Sequence, residues 1–380
     1  MKTIKIFLAA VLVLSIVFMS KWSASAETPV QEMHGIWIPY MSLTLSDGHK
    51  SESDFNKKID EMAEKCAEYK INTAIVQVRP FSDALYPSEI FPYSHIITGK
   101  QGLAPDFDPL KYITKKFHEK NIAVHAWVNP LRISTGQTPS YIADSNPCKK
   151  YPTFSYKDGL YYDPSYPEVR KLIIDGIAEI VKNYDVDGIQ LDDYFYPSED
   201  LNYDKKSYDN YAKSVKSEFL PISQNEWRKA NINMLVEGIL SKVHALKDGI
   251  VFGIAPQCNF DNNEKIGADV SVWCSQRGYI DYICPQLYVS NNHPTFPFSP
   301  LADRWKATVT NSDINLYFGL GMYKAGTDAD NGTWLLSDDN LQKQIEYIRE
   351  IKSDGFMLYS YEYLENKLTE KEVKNAAAVI

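Results

Sequence analysis

The stretch Asp185-Val-Asp-Gly-Ile-Gln-Leu-Asp-Asp-Tyr-Phe-Tyr-Pro197 decides how the chain is read. Val186-Asp187-Gly188 forms a turn after a helical segment, and then the residues alternate: Ile189 and Leu191 are apolar, Gln190 and Asp192 polar. A period of two is the mark of a strand with two unlike faces. An apolar outer face and an inner face ending in a carboxylate suit a barrel whose strand tips carry the chemistry. Asp192 and Asp193 are neighbours, so the pleat sends them to opposite sides, with Asp192 inward and Asp193 leaving the strand.

Working outward, strand patterns recur at 35–38, 73–79, 122–129, 251–255, 282–287, 316–320 and 356–361, which with the Asp192 strand makes eight. Helical patterns stand between them, at about 53–69, 109–119, 167–184, 225–246, 264–277, 300–308 and 338–351. Ser53 reads as the N-cap of the first, with Ile59, Met62 and Cys66 on one face. Eight alternating units predict an α/β fold, a closed (β/α)8 TIM barrel. Links from helix to strand are short and those from strand to helix long: 81–107, 130–166, 194–224, 288–299 and 321–337. Loops of that length in a compact domain are usually functional, and here they gather on the face that holds Asp192.

The ends and the composition bound the rest. Lys2 and Lys5 precede an apolar run from Ile6 to Met19, and Ala24-Ser-Ala26 offers a cleavage site. Residues 1–26 therefore read as a secretory signal peptide, its apolar run shorter than the roughly 20 residues of a spanning helix. Residues 27–380 are then one exported barrel, not an integral membrane protein once the signal is removed. A net charge of −9 argues against nucleic acid as a partner. The five cysteines show no metal spacing; Cys66 and Cys284 read as buried thiols, and one disulfide among Cys148, Cys258 and Cys274 is open. The seven histidines are scattered, and Asp328-Ala-Asp-Asn-Gly332 reads as a turn, so neither a metal nor another cofactor is implied.

Alternation also gives an inward set: Gln77 and Arg79, His125, Trp127 and Asn129, Gln190 and Asp192, and Gln286 with Tyr288. A barrel centre is normally filled by branched apolar residues, so polar groups converging on one mouth predict a polar ligand. The competing reading is a layer satisfied within itself, with Arg79 paired to Asp192. Carboxylate pairs suit glycosidic cleavage, one protonating the leaving oxygen and the other attacking carbon or activating water. Asp192 is the leading catalytic candidate. Asp193, Glu362 past the eighth strand and Asp83 compete for the second role. Trp37, Trp127, Tyr194, Tyr196, Tyr288 and Tyr323 are candidate sugar-stacking platforms.

Gly35-Ile-Trp37, Gln77-Val-Arg-Pro80, His125-Ala-Trp-Val-Asn-Pro130, Asp187-Gly-Ile-Gln-Leu-Asp-Asp-Tyr-Phe-Tyr-Pro197, Phe252-Gly-Ile-Ala-Pro256 and Pro285-Gln-Leu-Tyr288 occur in this order. Together they resemble the bacterial glycosyl-hydrolase-like family 10 over nearly the whole mature chain. The resemblance implies an exported barrel, similar to cell-envelope glycosidases that cut peptidoglycan glycan strands stripped of their stem peptides. It implies a nucleophilic or basic Asp192 at the tip of the fourth strand. On the residue reading given above, Asp193 or Glu362 would be the acid, and Gln77, Arg79, His125, Trp127, Asn129, Gln190, Tyr194, Gln286 and Tyr288 would hold the polysaccharide. Gln190 stands where related clans often carry Arg, and their later acidic residue has no evident match. Two alternatives remain: a barrel that binds glycan without cutting it, and a hydrolase of another extracellular polysaccharide.

Overall fold

The computed structural model describes residues 32–45, 50–193 and 195–380. The expected signal peptide and Tyr194 lie outside the described residues. Met33–Ile380 forms one compact unit. Eight parallel strands close on themselves: β1 Met33–Ile38, β2 Thr73–Arg79, β3 Ala123–Val128, β4 Gly188–Leu191, β5 Val251–Ile254, β6 beginning at Tyr282–Ile283, β7 Asn315–Leu320 and β8 Gly355–Leu358. β6 resumes at Gln286–Leu287 after Pro285, which has no N–H to give to the ladder. Pairing of β8 with β1 completes the ring.

The helices come in turn: α1 Glu52–Glu68, α2 Pro109–His118, α3 Pro167–Asn183, α4 Gln224–His244, α5 Val270–Ser275, α6 Phe298–Thr308, α7 Asn340–Glu350 and α8 Glu370–Val379. The cap of α1 is Ser51 rather than Ser53, in a reciprocal capping box with Asp54. The weakly patterned segment 264–277 is two short helices, Phe260–Lys265 and α5, separated by Gly267 at φ +81°. The loop 130–166 folds into a small antiparallel sheet of Arg132–Ser134, Thr153–Tyr156 and Gly159–Tyr162. All five cysteines are free thiols.

Alternation along the strands produces two cores. Outward residues such as Val76, Val124, Ile189, Leu191, Phe252 and Phe318 pack under the helices. Inward residues form a separate cluster of Trp37, Ile75, Trp127, Ala255, Tyr282, Cys284, Tyr317 and Met357. These bulky side chains need small partners opposite them. A Cβ on Gly188 would come within 2.7 Å of the His125 ring, and one on Gly253 within 2.2 Å of Tyr282. The glycines of the Asp-Gly-Ile-Gln and Phe-Gly-Ile segments are thus space for the neighbouring strand's ring.

The floor of the barrel repeats one device four times. The residue just before each even-numbered strand clasps both main-chain groups of one residue near the start of the preceding strand. Asn72 accepts from His34 N–H (2.9 Å), Asp187 from Val124 N–H (2.7 Å), Asp281 from Phe252 N–H (2.7 Å) and Asp354 from Leu316 N–H (2.7 Å). Each also donates its own N–H back to that residue's carbonyl, at 2.8–3.0 Å. His118 and His244 brace two of these carboxylates, those of Asp187 and Asp281, at 2.8 and 2.9 Å. Strand-end N–H groups that would otherwise lose water are satisfied by side chains one strand away.

Candidate active site

Above that floor the barrel axis is a chain of polar and aromatic groups. His125 Nδ1 lies 3.0 Å from the Tyr282 hydroxyl, and Gln190 Nε2 donates to that hydroxyl at 3.2 Å. Gln190 Oε1 accepts from Trp37 Nε1 at 2.6 Å. Burial lowers the pKa of His125 to about 4, with Asp187 pulling weakly the other way. His125 and Gln190 therefore fill the middle of the barrel beneath the mouth, a correction to their expected place among the substrate contacts. Their partners come from facing strands, and Gln190 is wholly buried.

The next level up holds the carboxylates. Asp192 points inward, as alternation requires. Its Oδ2 accepts from Trp127 Nε1 at 3.2 Å and from Asn129 Nδ2. Asp193 turns to the wall, where Oδ1 accepts from Gln286 Nε2 at 3.1 Å. Gln286 is held in turn by donating to the Ala255 carbonyl at 2.8 Å. Burial raises the pKa of Asp193, opposed first by the Gln286 hydrogen bond and by main-chain and Gln257 hydrogen bonds. The two adjacent carboxyl groups have unlike surroundings, and groups of that kind divide acid and base roles.

Both line a cavity of about 300 Å³ at the C-terminal mouth, walled by Trp37, Trp127, Tyr288, Tyr323 and Tyr359, with Ala255 and Gln286. Tyr288 meets Tyr323 edge-on at 5.8 Å and tilts over Tyr359 at 5.4 Å. Apolar ring faces beside a few fixed polar groups suit a sugar ring. Of the residues expected from sequence, Asp192, Asp193, Trp127, Gln286 and Tyr288 meet here, with the Trp37 and Tyr323 platforms. Tyr359 and Gln257 were not anticipated. Alternation past Met357 points to Tyr359; no sequence signal marks Gln257.

Other expected residues lie elsewhere. Arg79 does not face in. The β2–β3 register slips between Gln77 and Arg79, and the Val78 carbonyl leaves the ladder to accept from Leu85 N–H at 2.9 Å. That bulge reverses the alternation. Arg79 runs outward beneath α3, its guanidinium 4.6 Å from the Phe91 ring centre and against Gly176. It cannot pair with Asp192. Gln77 and Asn129 face in but bond to each other behind Asp192 (2.6 Å). Glu362 is exposed, accepts from Ser42 Oγ at 2.9 Å and does not line the cavity; the strand ends at Leu358 and a turn carries Glu362 aside. Asp83 is buried under its own loop, accepting from Phe81 N–H and Gln101 Nε2. Tyr196 is a core ring beneath the Arg228 guanidinium. Asp330, in the Asp328–Gly332 turn, accepts from Ser290 N–H, Trp334 Nε1 and Lys324 Nζ.

A pair of carboxyl groups in an aromatic cup at the C-terminal mouth of a (β/α)8 barrel is an arrangement suited to cutting glycosidic bonds, and the relatives of the chain are glycoside hydrolases. The sequence profile of the family described as glycosyl hydrolase-like 10 matches residues 32–335, and the chain belongs to that family. It is 32% identical to the glycosyl hydrolase YngK of Bacillus subtilis, over 92% of this chain and 70% of that one. It is 29% identical to the glycosyl hydrolase DigH of Escherichia coli K12, over 93% and 88% of the two chains. The glycoside hydrolase domain of PgaB (BpsB) from Bordetella bronchiseptica shares the fold, with a TM-score of 0.61 at 12% identity, covering 90% of this chain and 98% of that domain.

Proposed function

We propose that this protein is an exported glycoside hydrolase that cuts a cell-wall glycan strand, in the first instance peptidoglycan glycan freed of its stem peptides. The observation that carries the reading is the division between Asp192 and Asp193. Asp192 takes hydrogen bonds from Trp127 and Asn129, which suits a base or nucleophile. Asp193 holds its proton more tightly through burial, which suits a donor to the leaving oxygen. Trp37, Tyr288, Tyr323 and Tyr359 supply the stacking walls. The charged and apolar start of the sequence supports export, and among the described residues no helix is long and apolar enough to cross a membrane.

The test is a substrate panel with wild-type protein and Asp192→Asn. Amidase-treated peptidoglycan, intact peptidoglycan and unrelated β-linked polysaccharides are incubated and the released saccharides separated. The expected result is cleavage of the amidase-treated wall by wild type and none by a folded Asp192→Asn variant. Turnover surviving in that variant rejects the assignment. Binding without any product favours a glycan-binding barrel, and products from another polysaccharide alone move the substrate.

A further inference from the structure

Behind Asp192 runs a hydrogen-bonded line in which every donor and acceptor is dictated from one end. It begins at the main chain of Tyr40, first residue of the short helix Tyr40–Leu43 after β1. The N–H groups that open a helix have no partner within it. That of Tyr40 donates to Gln77 Oε1 at 3.0 Å. Gln77 Nε2 then donates to Asn129 Oδ1 at 2.6 Å, and Asn129 Nδ2 donates to Asp192 Oδ2.

A side-chain amide can be turned end for end, so its polarity is set by its neighbours. A main-chain N–H can only donate. Given that donor, Gln77 must offer oxygen to Tyr40 and nitrogen to Asn129, and Asn129 must offer nitrogen to Asp192. Trp127 Nε1, also a donor only, reaches the same carboxylate oxygen at 3.2 Å. Gln77 is 2% exposed, Asn129 1% and Asp192 4%, so bulk water has little access to replace a wrongly turned partner.

We propose that Gln77 is a positioning residue: it carries the polarity of the Tyr40 N–H through Asn129 to Asp192, so that Asp192 meets N–H groups and is presented to substrate as an aimed carboxylate. The inference rests on the hydrolase reading given above. It also reassigns Gln77, which touches Tyr40 and Asn129 and does not line the cavity. The titratable groups that share the cavity with Asp192 are Asp193, Tyr288, Tyr323 and Tyr359. Arg132, from the loop after β3, acts on Asp193 through space. Gln77 changes none of these directly, so its replacement reports on the line to Asp192.

Gln77→Glu keeps the acceptor for Tyr40 and removes the donor for Asn129. Asn129 must then turn its nitrogen to the introduced carboxylate and its carbonyl to Asp192, and that arrangement favours a protonated Asp192. Gln77→Met keeps the length and removes both bonds. In Gln77→Glu the acid limb of the pH–rate profile is expected to move to higher pH by about one unit or more. The kcat should fall about ten- to hundredfold, the range for a lost hydrogen bond to a charged group, with KM within about twofold. Gln77→Met should move the limb the same way by less. Infrared difference spectra between each protein and its Asp192→Asn counterpart supply a readout without substrate: the protonated-carboxyl band should persist to higher pH in both variants.

A rise in KM with an unmoved acid limb would return Gln77 to substrate binding. Lowered thermal stability with an unmoved limb and band would make it a packing residue; either result overturns the proposal. If Gln77→Glu does not fold, Gln77→Met decides by the same two readouts. Absence of turnover by wild type on every glycan would sink the hydrolase reading instead, leaving the infrared band to judge the line to Asp192.

Discussion

Replacing Asp193 by Asn separates what its carboxyl does for the reaction from what it does to the fold. In the proposed reaction Asp193 hands a proton to the departing sugar oxygen. General acid catalysis of this kind contributes roughly 10²–10⁴-fold, about 3–5 kcal/mol of the barrier on the natural glycan. Asn keeps an oxygen for the Gln286 amide, which now donates at 3.1 Å, so the wall of the cavity should stay in place. An aryl glycoside with an acidic leaving group needs little proton donation, so most of the loss should vanish on that substrate. The alkaline limb of the wild-type profile should vanish with it. Stability should move the other way. Burial raises the folded-state pKa of Asp193 above its ordinary value. Such a carboxyl gives its full stabilisation below the unfolded pKa and loses it as pH rises through the folded value. Above the folded-state value the wild type carries a poorly hydrated anion that Asn lacks. The Asn variant should melt higher than wild type on the alkaline side of that value, and the gain should shrink as pH falls through it. Paired kinetics on natural and aryl substrates, with calorimetry on both sides of the alkaline limb, test this. Equal loss on both substrates, or a retained alkaline limb, refutes the donor role. A stability gain that ignores pH refutes the burial argument.

Two further outcomes rest on placements already described. Asp281→Ala should cost about 1.5–3 kcal/mol, because Phe252 N–H loses its charged acceptor, and Asp281→Asn should cost clearly less; urea unfolding midpoints measure both. Glu362→Gln should leave kcat/KM within about twofold, since the side chain is exposed, bonds Ser42 and stands outside the cavity. A loss comparable with that of Asp193→Asn would restore Glu362 as the acid.

The strands, the closure of the barrel and the inward turn of Asp192 were legible because a buried sheet imposes a period of two on the sequence. The glycine of Asp187-Gly-Ile-Gln was legible as a turn, but its reason was not. Gly188 is small because the His125 ring, sixty-three positions earlier, needs the room. Arg79 was misplaced because alternation assumes an unbroken ladder, and one bulge at Val78 reverses every later residue of the strand. Glu362 was misplaced because a strand's end cannot be read to the residue from propensity, and the turn after Leu358 sends the next residues away from the barrel axis. The small sheet in the loop after β3 was missed because its strands are three or four residues long and pair across a loop.

The polar interior also bears on where the proposed recognition would occur. Buried Gln, Asn and His are costly unless their groups are paired. Below the mouth that pairing is internal: Gln190 bonds Trp37 and Tyr282, and Gln77 bonds Tyr40 and Asn129. Those amides support the level above them and do not line the cavity. At the level of Asp192, Asp193, Gln286 and Tyr288 the side chains open onto the cavity instead. On the proposed reading, sugar hydroxyls are met by the same few groups that would carry out the chemistry, and the tyrosines and Trp37 would hold the ring by its faces. A change of substrate in a relative is then expected in the aromatic wall or the loops above it. A change to the amides beneath would disturb the carboxylates before it altered what they bind.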